Sequence, residues 1–225
     1  MKNLMGGLYG VSEWVARFAV TNVLWLFFNF PIAILVMNML VMDESSARMI
    51  LIIPIAILAP FLFFPATAAM FATVRNWILK KEDQSIIIIY WKFYRENYKK
   101  SLLSGVLLTL MWIVWGIDFA YISSKNVLVM FSFLGLGLLL FVYTINFFSL
   151  LAHYEMAVIK LLKNSMIVTI GSPVLSLAVL LTSFIILYVS INGALFLLPF
   201  FVGSLISFVS FSAFYRYYLK TLEEV

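Results

Sequence analysis

Long apolar stretches, separated by short polar ones, recur along the whole chain. About 20 mostly apolar residues are enough for a helix to cross the roughly 30 Å of hydrocarbon in a bilayer. Six segments meet that length, at residues 18–41, 49–71, 102–122, 127–151, 167–190 and 194–214. The pattern therefore predicts an all-α membrane protein, a six-helix transmembrane bundle that forms a single domain over residues 1–225.

The polar connections predict which ends of these helices share a side of the membrane. Residues 42–46, 123–126 and 191–193 are short and rich in turn formers, so each is expected to join two antiparallel helices on one side. The opposite side receives the N-terminus, residues 75–100 and 153–165 and the C-terminal tail, which together carry thirteen of the fifteen Lys and Arg residues. Because cytoplasmic loops are enriched in Lys and Arg, both termini are predicted to be cytoplasmic.

Composition agrees with this reading and excludes several other classes of protein. The chain is 64% hydrophobic and 11% charged, too apolar for a soluble domain. Its net charge of +5 is explained by basic residues at the inner membrane face, so nucleic-acid binding is not expected. The absence of cysteine excludes disulfides and thiolate metal sites. The N-terminus has no short apolar core followed by a small-residue cleavage site, so a cleaved signal peptide is not expected.

The two longer cytoplasmic segments mix basic and aromatic residues, which allows two interpretations. The first is amphipathic helices that lie in the headgroup region, with rings at the boundary and cations on anionic lipid. The second is a surface that docks a cytoplasmic partner. The candidate docking residues are Arg75, Trp77, Tyr94, Arg95, Lys99, Lys100, His153 and Glu155.

Polar side chains inside the predicted spans are candidate functional residues, because lipid penalises them. Asn22 and Asn29 share one face of the first span, Asn146 lies in the fourth, and Asp118 lies near the outer end of the third. Together they could line an intramembrane polar path. The alternatives are hydrogen bonds between helices for the asparagines and a solvated position in the outer headgroup region for Asp118.

The second predicted span contains three prolines, Pro54, Pro60 and Pro65. Each removes a backbone hydrogen bond, so a bent or broken helix is expected there. A broken helix can build a substrate site at the midplane of a membrane.

The run Phe64-Pro65-Ala66-Thr67-Ala68-Ala69, with residues 70–77, 93–101 and 161–165, resembles the YesL family. That family consists of small, mainly Firmicutes membrane proteins of uncharacterised function, often encoded beside genes for carbohydrate uptake and polysaccharide degradation. The resemblance implies a location in the bacterial inner membrane and an association with sugar import. It supplies no catalytic residues.

Two functions are therefore considered. The protein is an accessory or regulatory component that docks on sugar-importer subunits, or it is a small-solute transporter or ABC-type permease subunit in its own right. Glu155, Ala157 and Pro173 fall near positions of the ABC coupling motif, but Leu161 occupies the place of its glycine. No nucleophile-base pair, acidic dyad, metal cluster or phosphate loop is recognisable, so neither an enzyme nor a cofactor or metal site is expected.

Overall fold

A computed structural model describes residues 2–81, 84–123 and 125–223, and Ser124 of the connection at 123–126 lies outside them. The described residues form nine α-helices, one turn of π-helix at Leu198–Val202, and no β-strand. The helices are α1 Lys2–Phe28, α2 Phe30–Val41, α3 Ser45–Leu58, α4 Phe63–Leu79, α5 Ile86–Ser123, α6 Val127–His153, α7 Val158–Gly171, α8 Pro173–Asn192 and α9 Gly203–Glu223.

Several of these helices have the length and apolar character of membrane spans. Five qualify within the described residues, namely most of α1, then α5, α6 and α8, and α9 with the π-helical turn before it. The pair α3 and α4, bent by 56°, brings the number to six if it counts as one span. The all-α membrane fold is thus confirmed, with five to six candidate spans.

Helix α4 is the centre of the bundle. Every residue from Phe64 to Val74 is buried, and α1, α5, α6 and α9 all pack against the helix. Small residues permit this close approach: Ala66, Ala68 and Ala69 are almost fully buried. The Tyr90 hydroxyl of α5 donates to the Ala66 carbonyl at 2.8 Å and fixes the two helices together.

The second predicted span is broken at residues 59–62, around Pro60. Pro54 and Pro65 differ from the prediction, because neither interrupts a helix. Pro54 lies inside α3, and Pro65 lies in the first turn of α4, where a backbone N–H has no intrahelical partner to lose.

Two other predicted spans are interrupted, where a continuous helix was expected. The first predicted span, residues 18–41, is interrupted at Asn29, and α2 then begins with Pro31 in its first turn. The fifth starts inside α7 and is interrupted at Ser172, whose φ of −125° and ψ of 78° are not helical. Proline explains the second break directly, because Pro173 disfavours helical backbone at the residue before it.

Most of residues 75–100, the predicted extramembrane segment, is helical. The described part of this segment includes the end of α4 and the first four turns of α5, which continues without a break to Ser123; residues 82–83 lie outside the described residues. At 38 residues, α5 is about 57 Å long, well beyond the thickness of the hydrocarbon. Ile89 and Tyr90 of this segment are buried in the bundle.

Candidate functional site

The four residues predicted to line an intramembrane path lie in different parts of the structure. Asn22 is fully buried and bridges α1 to the π-helical turn before α9. Its Nδ2 donates to the Pro199 carbonyl at 2.7 Å, and its Oδ1 accepts from the Ser204 N–H at 3.0 Å. The amide therefore bonds a backbone carbonyl and a backbone N–H, which are groups that a regular helix would bond within itself. Gly203 provides the room, since a Cβ there would lie 2.9 Å from Asn22 Oδ1.

Asn29 and Asn146 are also buried, and each uses its Nδ2 in a local bond. Asn29 donates to the Trp25 carbonyl at 2.9 Å, one turn earlier, where α1 ends. Asn146 of α6 donates to Thr169 Oγ1 of α7 at 3.0 Å. In the part of the chain that the structure describes, neither Oδ1 finds a donor.

Asp118 is exposed on α5, five residues before the end of that helix. It borders an apolar cavity of about 760 Å³ between α5, α6 and α7. Asn22, Asn29 and Asn146 do not border this cavity. They also do not border any of four other cavities in the described part of the chain. The four polar residues therefore do not meet in a common space.

The predicted docking residues divide into two groups. Trp77 and Tyr94 pack inside the bundle. Trp77 meets the edges of Trp14 and Phe18 at centroid distances of 6.2 and 5.8 Å, and Tyr94 stacks on Phe28 at 4.3 Å. These two aromatic side chains hold α1 against α4 and α5.

The charged docking residues remain accessible. Arg95 and Lys99 are exposed on α5, and Lys100 is half-buried beside them. Arg75, His153 and Glu155, although far apart in sequence, come together where α4 and α6 end. The negative charge of Glu155 attracts Arg75, whereas Arg75 and Lys81 repel a positive charge on His153. We call Arg75, Lys81, His153 and Glu155 the polar end cluster.

Local backbone structure explains how the polar end cluster forms. Helix α4 closes with the N–H of Lys80 donating to the Trp77 carbonyl and that of Lys81 to the Asn76 carbonyl, both at 3.2 Å. This ending requires left-handed backbone at Lys80, whose φ is 50°. Helix α6 ends at His153, and the chain is then extended at Tyr154, which carries Glu155 out to the surface.

His153 is surrounded by the ring of Tyr154 and by aromatic rings from the end of α9. Its ring lies 4.6 Å from Tyr218 and 4.8 Å from Tyr154, both at steep angles, with Phe214 at 5.8 Å. Burial raises the pKa of the Tyr154 phenol, and the neighbouring Tyr218 adds to the shift. A cavity of about 260 Å³ opens beside these rings, bordered by Met156 among others.

Two polar atoms of the polar end cluster are buried without a hydrogen-bond partner among the described residues. They are Nε of Arg75 and Nδ1 of His153. Buried polar atoms are normally paired, so these two are exceptions. Arg75 itself is half-buried and Glu155 exposed, so the cluster remains open to the surface.

Sequence reasoning missed two contributors to this site, Lys81 and Tyr218. Lys81 belongs to the basic segment that was identified, but its proximity to His153 depends on how α4 ends. Tyr218 belongs to the run Tyr215-Arg216-Tyr217-Tyr218, whose dense aromatic content was the signal that could have identified it.

Comparison with known proteins gives matches to proteins that are described as uncharacterised or of unknown function. Residues 18–119 match the family described as "Protein of unknown function, DUF624". The chain is 27% identical to the uncharacterised protein YteU of Bacillus subtilis (strain 168), with 96% of this chain and 87% of YteU aligned. Two further proteins of that strain, YesL and YesV, are each 23% identical, over 94% and 80% of this chain and 91% and 77% of their own lengths. Both are also described as uncharacterised.

No solved structure matches the chain significantly. The resemblance predicted from the Pro-Ala-Thr-Ala-Ala run is confirmed by the family match and by the three relatives. The chain is thus similar, over nearly its whole length, to YteU and YesL, two uncharacterised proteins of Bacillus subtilis.

Proposed function

We propose that this protein is an accessory membrane protein that docks a subunit of a carbohydrate importer on the polar end cluster. The observation that carries the proposal is the grouping of half-buried Arg75 and His153 with the exposed carboxylate of Glu155 at the ends of α4 and α6.

The surroundings of the cluster favour a protein partner. Glu155 offers an acceptor and Arg75 a planar set of donors, a combination suited to a surface that carries both charges. The cavity of about 260 Å³ beside Tyr154 and Tyr218 can receive an apolar side chain. Aromatic and arginine residues around a small pocket are typical of the residues that dominate binding at protein interfaces.

The proposal places the cluster on the cytoplasmic side of the inner membrane, with both termini on that side. Its support is the distribution of charge: thirteen of fifteen Lys and Arg residues belong to the predicted cytoplasmic segments, and Arg48 and Lys125 are the two exceptions. The link to carbohydrate uptake rests on the YesL resemblance alone, through the genes beside which members of that family are often encoded.

Co-purification from the native host tests the proposal. Tagged protein in mild detergent is expected to bring importer permease or ATPase subunits with it in a fixed ratio. Arg75→Gln should lower their recovery at least about tenfold, because it breaks a partly buried charged contact. Arg48→Gln is the matched control, since Arg48 is exposed at the opposite end, near Asp43. Equal recovery with both variants, or no importer subunit at all, would refute the docking function.

Transport by the protein itself is the second candidate function, and one observation favours it. The broken span α3–α4 borders an apolar cavity of about 630 Å³, in which Thr109 of α5 has a buried hydroxyl without a partner among the described residues. Broken spans beside cavities are where secondary transporters bind substrates. Uptake of sugars into proteoliposomes that contain only this protein would support transport, and its absence would leave the docking function as the sole candidate.

A further inference from the structure

Helices α2 and α3 form a hairpin that buries none of the side chains described for it. No residue of α2 is buried, and none of residues 48–58 of α3 is buried either. Helix α4, by contrast, is buried throughout from Phe64 to Val74. In a membrane, apolar side chains gain little by leaving lipid for another helix, because lipid tails are equally apolar. The hairpin is therefore held to the rest of the bundle only weakly.

Both ends of this hairpin join the bundle at helix breaks. Asn29, between α1 and α2, has a φ of −95° and a ψ of 9°, which are not helical. Residues 59–62 separate α3 from α4, and these two helices are bent by 56°. Pro31 and Pro60 lie at the two breaks and cannot donate a backbone hydrogen bond there. Short breaks of this kind absorb the backbone rotations of a hinge.

The two breaks lie side by side, because the residues next to them are in contact. Trp25, one turn before Asn29, donates through its indole Nε1 to Thr67 Oγ1 of α4 at 3.0 Å. The Trp25 ring also meets the edge of Phe63 at a centroid distance of 5.9 Å. Phe63 and Thr67 lie in the first turns of α4, directly after residues 59–62. The hairpin thus leaves the bundle and returns to it at one place, which gives it a single hinge.

A cavity of about 630 Å³ lies between the hairpin and the bundle. Ile52 and Ala56 of α3 border it on one side, and Gly116 and Ala120 of α5 border it on another. Small residues four positions apart normally allow a second helix to approach closely. A Cβ on Gly116, however, would meet nothing within 4 Å, so this small surface of α5 faces open space.

We propose that the α2–α3 hairpin is a lid that swings about its hinge and closes onto Gly116 and Ala120 of α5. In the closed position α3 packs on α5 through Ala56 and fills the cavity. The present structure shows the open position, in which the cavity separates the two helices. Opening admits apolar molecules of the bilayer to the cavity, and closing excludes them. The motion requires neither docking nor transport, so it is tested independently of both proposed functions.

Pulsed electron paramagnetic resonance on the full chain in lipid nanodiscs measures this motion. The chain contains no cysteine, so introduced cysteines carry all the spin labels. The pair Ile53→Cys/Val114→Cys joins the hairpin to α5, and the control pair Leu181→Cys/Val114→Cys joins α8 to α5. All three positions are exposed, and none borders the cavity. The hairpin pair should give two distances, the shorter from helices packed with axes about 8–10 Å apart, and the control pair should give one.

Filling the cavity shows whether the lid closes onto this face of α5. Gly116→Trp should lower the population of the shorter distance about tenfold, because an overpacked contact disfavours the closed position. Gly135→Trp is the matched control and should leave that population unchanged. A Cβ on Gly135 also meets nothing within 4 Å, but Gly135 does not border the cavity.

Three outcomes would overturn the lid. These are a single distance for the hairpin pair as narrow as that of the control pair, a shorter distance that persists in Gly116→Trp, and an equal loss of it in both Trp variants. The melting temperatures of the variants verify that each is folded. The distances measured without a Trp substitution test the lid even if Gly116→Trp does not fold.

Discussion

Asn22 bonds the backbone of the irregular helical turn before α9. Pro199 lies in a turn of π-helix, where backbone bonding departs from the regular pattern of an α-helix. The amide of Asn22 bonds the Pro199 carbonyl and the Ser204 N–H, at 2.7 and 3.0 Å. At the scale of single residues, this polar group therefore has a structural role, as expected for buried asparagines that bond across helices.

Replacing Asn22 by Leu should destabilise the protein by about 2 kcal/mol, because it leaves a buried carbonyl and a buried N–H unpaired. Unfolding in a denaturing detergent titration measures the change. Asn38→Leu is the control: Asn38 is exposed on α2 and donates only within its own helix, to Ile34, so its loss should cost less than about 0.5 kcal/mol. Equal stability of the two variants would contradict the structural role of Asn22.

At the scale of elements, α4 and α5 approach closely where Gly105 faces Phe64. A Cβ on Gly105 would lie 2.8 Å from Phe64 Cγ, so Gly105→Ala should destabilise the pair by about 1–3 kcal/mol. Gly116 belongs to the same helix, and a Cβ there would meet nothing within 4 Å. Gly116→Ala should therefore be neutral or stabilise the helix by up to about 1 kcal/mol. The same detergent titration compares the two, and a similar loss in both would contradict this helix contact.

Two features of the sequence, the length of the apolar runs and the positions of the prolines, explain how much of the helix arrangement could be predicted. The apolar runs gave the helical class and most of the spans. Pro31, Pro173 and Pro199 were not used to predict helix breaks, yet each lies at an irregularity: the start of α2, the start of α8 and the π-helical turn. Pro54 was expected to break a helix and does not, because neighbouring helices in a bundle can tolerate a proline kink.

The candidate site was only partly predictable for a different reason. Arg75, His153 and Glu155 were identified from their chemistry, but their meeting depends on the end of α4 and the end of α6, which are 74 residues apart at Leu79 and His153. Trp77 and Tyr94 have the same residue types as an exposed docking surface, and their burial against α1 follows from packing that a single sequence does not reveal. The arrangement of these site residues therefore depends on tertiary contacts, which a local sequence pattern does not predict.

At the scale of the whole molecule, the proposed orientation can be tested because the chain contains no cysteine. Single cysteines introduced by Asp43→Cys and Lys163→Cys provide labels on the two proposed faces. A membrane-impermeant maleimide should label position 43 in intact cells and position 163 only after permeabilisation. Labelling in the reverse order would place the Lys- and Arg-rich face outside and remove the basis for a cytoplasmic docking site.

The docking proposal is tested most directly by photo-crosslinking in the native host. A photo-reactive amino acid at position 157, an exposed alanine two residues from Glu155, is compared with one at position 44, at the opposite end of the bundle. Irradiation and mass spectrometry should give an adduct with a carbohydrate-importer subunit from position 157 and none from position 44. The absence of importer adducts at 157, or equal adducts at both positions, would contradict docking at the polar end cluster.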